Sequence, residues 1–188
     1  MTKKALNQNG KYVQEFIDVI EPDFIFSTKP INRLNIIETE KENFSQNKIE
    51  ELSTLKKKID SIENCNLKNN SKNLVMGNGD INSPLMLIGE APGEPEDISG
   101  CSFQGEIGSL LKKMFSAINI KIENVYSTYS INFRPPEDRK PNTQEIKRYS
   151  IFLKEHISII NPKIVILMGS TAMEAMTGLN NRISAERG

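Results

Sequence analysis

The residue types in this chain that could do chemistry gather between Pro84 and Leu111, in the stretch PLMLIGEAPGEPEDISGCSFQGEIGSLL. Glu90, Glu94, Glu96 and Asp97 stand close together there, and one aromatic side chain, Phe103, follows among small and polar neighbours. Carboxylates can polarise water or stabilise a developing positive charge, and an aromatic face can stack a flat ring. The same residues also suit a surface connection with its acids solvated and Phe103 folded back into the core. Residue chemistry alone leaves both readings open.

The elements that must position these groups are legible on either side. Leu85 to Ile88 is a short apolar run that stops at Gly89, which predicts a buried strand with a tight exit. From Gln104 onward, Ile107, Leu110, Leu111, Met114, Phe115 and Ile118 keep helical spacing and predict a helix over one face of a sheet. Val125 to Phe133, VYSTYSINF, reads as a second strand, and two prolines end it in RPPEDRKPNTQEI. Arg134, Arg139 and Lys140 give that exit positive charge, suited to phosphate contact or to ordinary solvation, with Glu137 and Asp138 opposing it. Asn142 and Glu145 have the spacing of a capping box before a helix with Ile146, Tyr149, Phe152 and Leu153 on its apolar stripe. His156 lies beyond that stripe and reads as a surface residue. NPKIVILMG, residues 161–169, is a third buried strand leading into the helix of TAMEAM.

Alternating strands and helices predict an α/β fold, a three-layer α/β/α unit with a mostly parallel central sheet. Ligands of such sheets lie beyond the carboxyl ends of the strands, so Gly89 to Asp97 and Arg134 to Lys140 are expected to face one crevice. Upstream, Ile49, Leu52, Leu55, Ile59 and Ile62 mark an amphipathic helix with Lys56 to Lys58 on its wet side. Residues 73–80, NLVMGNGD, suit an edge strand and turn. Residues 1–48 read as an arm with a short helix in YVQEFIDVI and a connection from Thr28 to Asn47, leaving 49–188 as the α/β domain.

The chain has 188 residues, enough for one domain with a substantial core. Its 24 basic and 24 acidic side chains cancel, so no global field attracts nucleic acid and any grip on DNA must be local. Without a long apolar window or an apolar leader, a cytoplasmic protein away from membranes is expected. Cys65 and Cys101, the two cysteines, argue against a disulfide framework and cannot complete a four-thiolate site. Neither a GxxxxGK[ST] loop nor a paired histidine cluster is present, which disfavours a phosphate hydrolase.

GEAPG, an acidic pair and then G-x-x-F-x-G-x-x-G-x-L-L together resemble the first motif of the uracil-DNA glycosylase superfamily, and in particular its family 4, whose members are iron-sulfur enzymes. The likeness extends over residues 49–188. NLVMGNGD resembles the family's VFGEGD-type segment, RPPEDRKP its RPP-x-x-R-x-P loop, and PKIVILMGSTA its PK-x-[IV]-[IV]-x-x-G-x-x-A element. The resemblance implies that Phe103 stacks a uracil flipped out of DNA, that Gly89, Ala91 and Gly93 contact it through the backbone, and that Glu90 and Asp97 place water and stabilise charge on the sugar. Arg134, Arg139 and Lys140 would contact DNA phosphates.

Departures from the pattern are equally specific. Tyr129 stands where the family has the asparagine that reads uracil, so the substrate-binding position is kept with a different side chain. Of four cluster cysteines only Cys65 matches, with Ile62, Phe133 and Tyr149 at the other places, so no iron-sulfur cluster and no metal is expected. The family's HPS-type motif is absent after NRISAERG, which makes the sheet incomplete at the C-terminal side and suggests a separately encoded C-terminal piece as a partner. The expected function is thus uracil release from single- or double-stranded DNA, weakened or lost. A non-catalytic DNA-binding module and a truncated relic are the alternatives.

Overall fold

The computed structural model describes residues 33–179, with side chains from residue 45 onward. The chain divides into two units, Met1–Glu40 and Lys41–Gly188, and the second carries the features that follow. The short helix expected in YVQEFIDVI and the closing NRISAERG lie outside the described residues.

Three strands form the sheet: β1 (Leu85–Gly89), β2 (Tyr126–Tyr129) and β3 (Ile164–Leu167). Their order is β2-β1-β3 and both pairings are parallel, with Met86 opposite Tyr126 and Leu85 opposite Ile164. The expected α/β class and parallel sheet hold. β1 is the middle strand, buried on both faces, which is why its sequence is continuously apolar rather than alternating. β2 and β3 are shorter than their apolar runs suggested. The ladder of β2 ends at Gly89, whose carbonyl accepts both the N–H and the hydroxyl of Ser130 at 2.9 and 2.8 Å. Residues 73–80 make a single antiparallel bridge, Asn78 with Ser127, instead of a strand, and so shield the outer edge of β2.

The helices are α1 (Arg33–Asp60), α2 (Asn66–Asn70), α3 (Glu94–Ser99), α4 (Gly105–Ala117), α5 (Thr143–Ile160) and α6 (Ser170–Thr177). Arg33–Asn47, expected as a connection, is helical: neither proline nor glycine interrupts α1, and its many Glu and Lys residues are good helix formers. At the start of α5, Asn142 Oδ1 accepts the Glu145 N–H at 2.9 Å and Glu145 Oε2 accepts the Asn142 N–H at 2.8 Å, the expected capping box.

Two apolar clusters flank the sheet. On one side Met86 and Ile88 pack with Leu55 and Ile59 of α1, Tyr149 and Leu153 of α5 and Ala172 and Ala175 of α6. On the other, Leu87 and Val125 meet Leu111 and Phe115 of α4. The alternation along β1 sends neighbouring side chains to opposite layers.

That second layer covers only part of the sheet. Ile164 and Ile166 share a face with Leu85 and Leu87, their register partners, yet are 61% and 38% exposed. Along α4, Ile107, Leu110, Met114 and Ile118 form an exposed stripe beside the buried Leu111 and Phe115. The Lys112 to Glu123 ion pair marks the opposite flank of α4, the one toward β2. The bare stripe therefore looks toward β3.

His156 corrects the surface assignment: it is buried, with Nε2 hydrogen-bonded to the Tyr126 hydroxyl at 2.8 Å and the rings edge to face. Tyr149, Leu153, His156 and Ile160 are spaced by four, three and four residues, so the imidazole continues the apolar stripe. Burial pulls its pKa down to about 4, so it is neutral in the folded state. A pKa held below the unfolded value makes this contribution complete above about pH 6.5, and it is lost as pH falls toward 4. Denaturant titrations at pH 7.5 and pH 5 are expected to differ through this group by about 2 kcal/mol, a difference absent in His156→Gln.

Candidate active site

A cavity of about 660 Å³ opens beyond the carboxyl ends of the strands, lined by Gly89 at the end of β1, Glu90 just after it, Tyr129 at the end of β2 and Met168 after β3. The loop between β1 and α4 supplies most of its wall, including Ala91, Gly93, Glu94, Glu96, Phe103 and Gln104. A loop from the second strand adds Pro135, Asp138 and Arg139, so the two segments expected to face one crevice do so.

The four acids of the loop have different positions. Glu90 lies on the cavity wall, and its Oε2 accepts the Thr171 hydroxyl at 2.8 Å. Glu94 lines the cavity and is exposed. Glu96 is buried: Oε2 accepts the Gly93 N–H at 2.9 Å and Oε1 the Gln104 N–H at 2.7 Å, which closes the loop on itself around α3. Asp97 is also buried, and Oδ1 accepts the N–H groups of Lys72 and Asn73 at 2.8 and 3.1 Å. Asp97 is not among the lining residues, so the structure separates it from Glu90 and gives it the task of anchoring the 72–73 backbone.

Phe103 stands on the cavity wall with φ 51°, a left-handed backbone conformation that costs a non-glycine residue about 1–3 kcal/mol. Its surroundings hold it there. The preceding Ser102 is tied to β2, its hydroxyl reaching the Ser127 carbonyl at 2.9 Å and the Ser127 hydroxyl at 2.8 Å. Tyr129 Oη accepts the Phe103 N–H at 3.0 Å, and the two rings pack with centroids 4.8 Å apart. Gly89 lies against both rings: a Cβ there would come within 2.7 Å of the Tyr129 ring and 2.9 Å of the Phe103 ring. Burial pushes the Tyr129 hydroxyl well above the usual phenol range, and the negative charge of Glu96 adds to the rise. It is a neutral phenol at every physiological pH.

The three expected phosphate-contacting residues are engaged within the protein. Arg134 makes a bidentate pair with Asp138 at 2.7 and 2.8 Å, and Arg139 another with Glu145 at 2.6 and 2.9 Å. Lys140 Nζ donates to Ser170 Oγ at 3.0 Å. Of the three, only Arg139 lines the cavity. Thr171 was not anticipated from sequence. Its hydroxyl meets Glu90 only because β1 and β3 are neighbours, and nothing in local spacing connects positions so far apart.

The model of the uracil DNA glycosylase superfamily matches residues 76–187, more than half of the chain. The chain belongs to that superfamily. It is 31% identical over 131 residues to a type-4 uracil-DNA glycosylase of Archaeoglobus fulgidus, 37% over 109 residues to one of Thermotoga maritima, and 32% over 138 residues to one of Pyrobaculum aerophilum. These alignments take in 70%, 58% and 73% of this chain and 66%, 57% and 70% of the respective relatives. Against the first two, it spans less than two thirds of the relative's length.

The iron-sulfur cluster implied by the family 4 resemblance does not fit the residues at its four positions in this superfamily member. They do converge. Cys65 Sγ is hydrogen-bonded to the Tyr149 hydroxyl at 3.2 Å, Phe133 meets Tyr149 edge to face, and Ile62 packs against the same core. One thiol, a phenol, a phenyl ring and an aliphatic chain fill the place, whereas a cluster needs thiolates around one point. Protein purified without oxygen is therefore expected to contain far less than stoichiometric iron and sulfide and to lack visible absorbance. A stoichiometric cluster would overturn this assignment.

Proposed function

We propose that this chain is a uracil-DNA glycosylase-like hydrolase of cytoplasmic base-excision repair, acting on uracil in single- or double-stranded DNA with weak or lost activity. The observation that carries the reading is the juxtaposition of the Glu90 carboxylate and the Phe103 ring on one cavity wall beyond the sheet, within a superfamily match that covers both. A flipped base stacks on Phe103 while the backbone around Ala91 and Gly93 meets its edge. Glu90, oriented by Thr171, holds a water below the sugar and offsets positive charge at C1′ as the glycosidic bond breaks. The bonding pair leaves with uracil, and the water oxygen takes its place on C1′, giving up a proton.

Weakness follows from Tyr129, whose hydroxyl oxygen is spent on the Phe103 amide rather than on a base edge. The bidentate pairs of Arg134 and Arg139 favour a shallow grip on phosphates, and hence a low salt dependence of DNA binding. If binding is measured without any base release, the chain is a DNA-binding module instead. The uncovered face of β3 and α4 suits a separately encoded C-terminal piece laid beside β3. The deciding experiment measures affinity for, and uracil release from, a uracil-containing single-stranded oligonucleotide, with Glu90→Ala prepared in parallel. Release that depends on Glu90 supports the glycosylase reading, and loss of both binding and release rejects it.

A further inference from the structure

We propose that Tyr129 is a positioning residue of this cavity: its hydroxyl, accepting the Phe103 N–H, and its ring, packed on the Phe103 ring, lock Phe103 in its left-handed conformation and so fix the wall on which a flat base stacks. The proposal rests on the reading of the cavity as a base pocket. A phenol has one proton to donate and accepts through oxygen. Here the oxygen accepts the Phe103 N–H at 3.0 Å, while the buried Glu96 accepts the Gly93 and Gln104 amides on its two oxygens. Tyr129 thereby ties the end of β2 to the loop that Glu96 closes. The phenol's ring serves the same purpose, packing on the Phe103 ring with Gly89 pressed against both.

Aromatic residues seldom adopt positive φ, so Phe103 needs partners that outweigh the local preference. Gly108 of α4 approaches the Phe103 carbonyl closely from the other side, leaving the Tyr129 hydroxyl as the group that fixes the amide. The Tyr129 oxygen is committed to the Phe103 amide, so the side chain contributes orientation of the stacking ring rather than recognition of the base edge.

The test uses the full chain and Tyr129→Phe, which removes the oxygen and keeps the ring. Amide hydrogen exchange followed by NMR is expected to speed up at Phe103 by about tenfold, while Leu87 in the core is unchanged. Unaltered protection at Phe103 overturns the proposal. A second arm uses Phe103→Trp, the sole tryptophan in a chain that otherwise has none. A single-stranded oligonucleotide with one uracil is expected to quench its emission, and adding Tyr129→Phe to weaken that binding about fivefold. Equal quenching with and without the hydroxyl overturns the positioning role. Faster exchange with no quenching in the Phe103→Trp parent rejects the base pocket and leaves the Tyr129 lock standing, which keeps the two failures apart.

Discussion

Single-turnover release of uracil from a single-stranded oligonucleotide is expected to be at least about a hundredfold slower for this chain than for a family 4 enzyme that carries the uracil-reading asparagine. One missing donor of the kind that stabilises a departing anion is worth about 3 kcal/mol, which corresponds to roughly that factor in rate. Tyr129 stands at the position where the resemblance places a uracil-reading amide, and its hydroxyl already serves Phe103. Glu90 and Phe103 remain on the cavity wall and support residual turnover. Glu90→Ala distinguishes that turnover from a contaminating glycosylase. Fast release that vanishes in the Glu90 variant would sink the claim of impairment, whereas slow release that vanishes would locate the remaining chemistry.

The second large effect concerns Gly108. Replacing glycine by alanine inside a helix ordinarily stabilises by about 1 kcal/mol, because alanine loses less backbone freedom. At Gly108 the sign reverses. An added Cβ would fall inside van der Waals contact with the Phe103 carbonyl, a backbone atom that cannot swing aside as a side chain can. Either α4 shifts away from Leu87 and Val125 or Phe103 is displaced, and overpacking of this sort costs about 1–3 kcal/mol. Gly108→Ala is therefore expected to lower the denaturation midpoint and to weaken oligonucleotide binding together. A more stable variant with unchanged binding would show that the approach of α4 to Phe103 is not a constraint. Ser109→Ala, one residue along and exposed, provides the control for helix propensity.

What could be read in sequence and what could not differ by the range of the interactions. LMLIG announces a buried parallel strand because a strand covered on both faces must be apolar throughout. KIVIL, read as buried too, pairs with β1 as expected but leaves Ile164 and Ile166 exposed, because among the described residues no helix covers that face of β3. Asn142 and Glu145 announce a helix start because a capping box involves only neighbours. His156 was misplaced by its polarity, although its spacing from Leu153 and Ile160 already put it on the buried stripe. The hydroxyl of Tyr126, which makes burial tolerable, comes from a different element, the strand β2.

The site divides in the same way. The ordered glycines, acids and aromatic between Gly89 and Gly108 identified the loop and its superfamily from sequence, since short-range turn geometry and motif order are written along the chain. Which acids face the cavity was decided by tertiary structure alone. Glu90 and Asp97 are both carboxylates of one loop, yet Thr171 reaches the first from α6 while the amides of Lys72 and Asn73 draw the second into the protein. The loop cations Arg134 and Arg139 are the exception to long range: of the acids read as opposing them, Asp138 pairs with Arg134, and Arg139 takes Glu145 of the capping box, both partners only a few residues away. A side chain's role depends on which partners meet its polar atoms, and those partners are brought by elements distant in sequence.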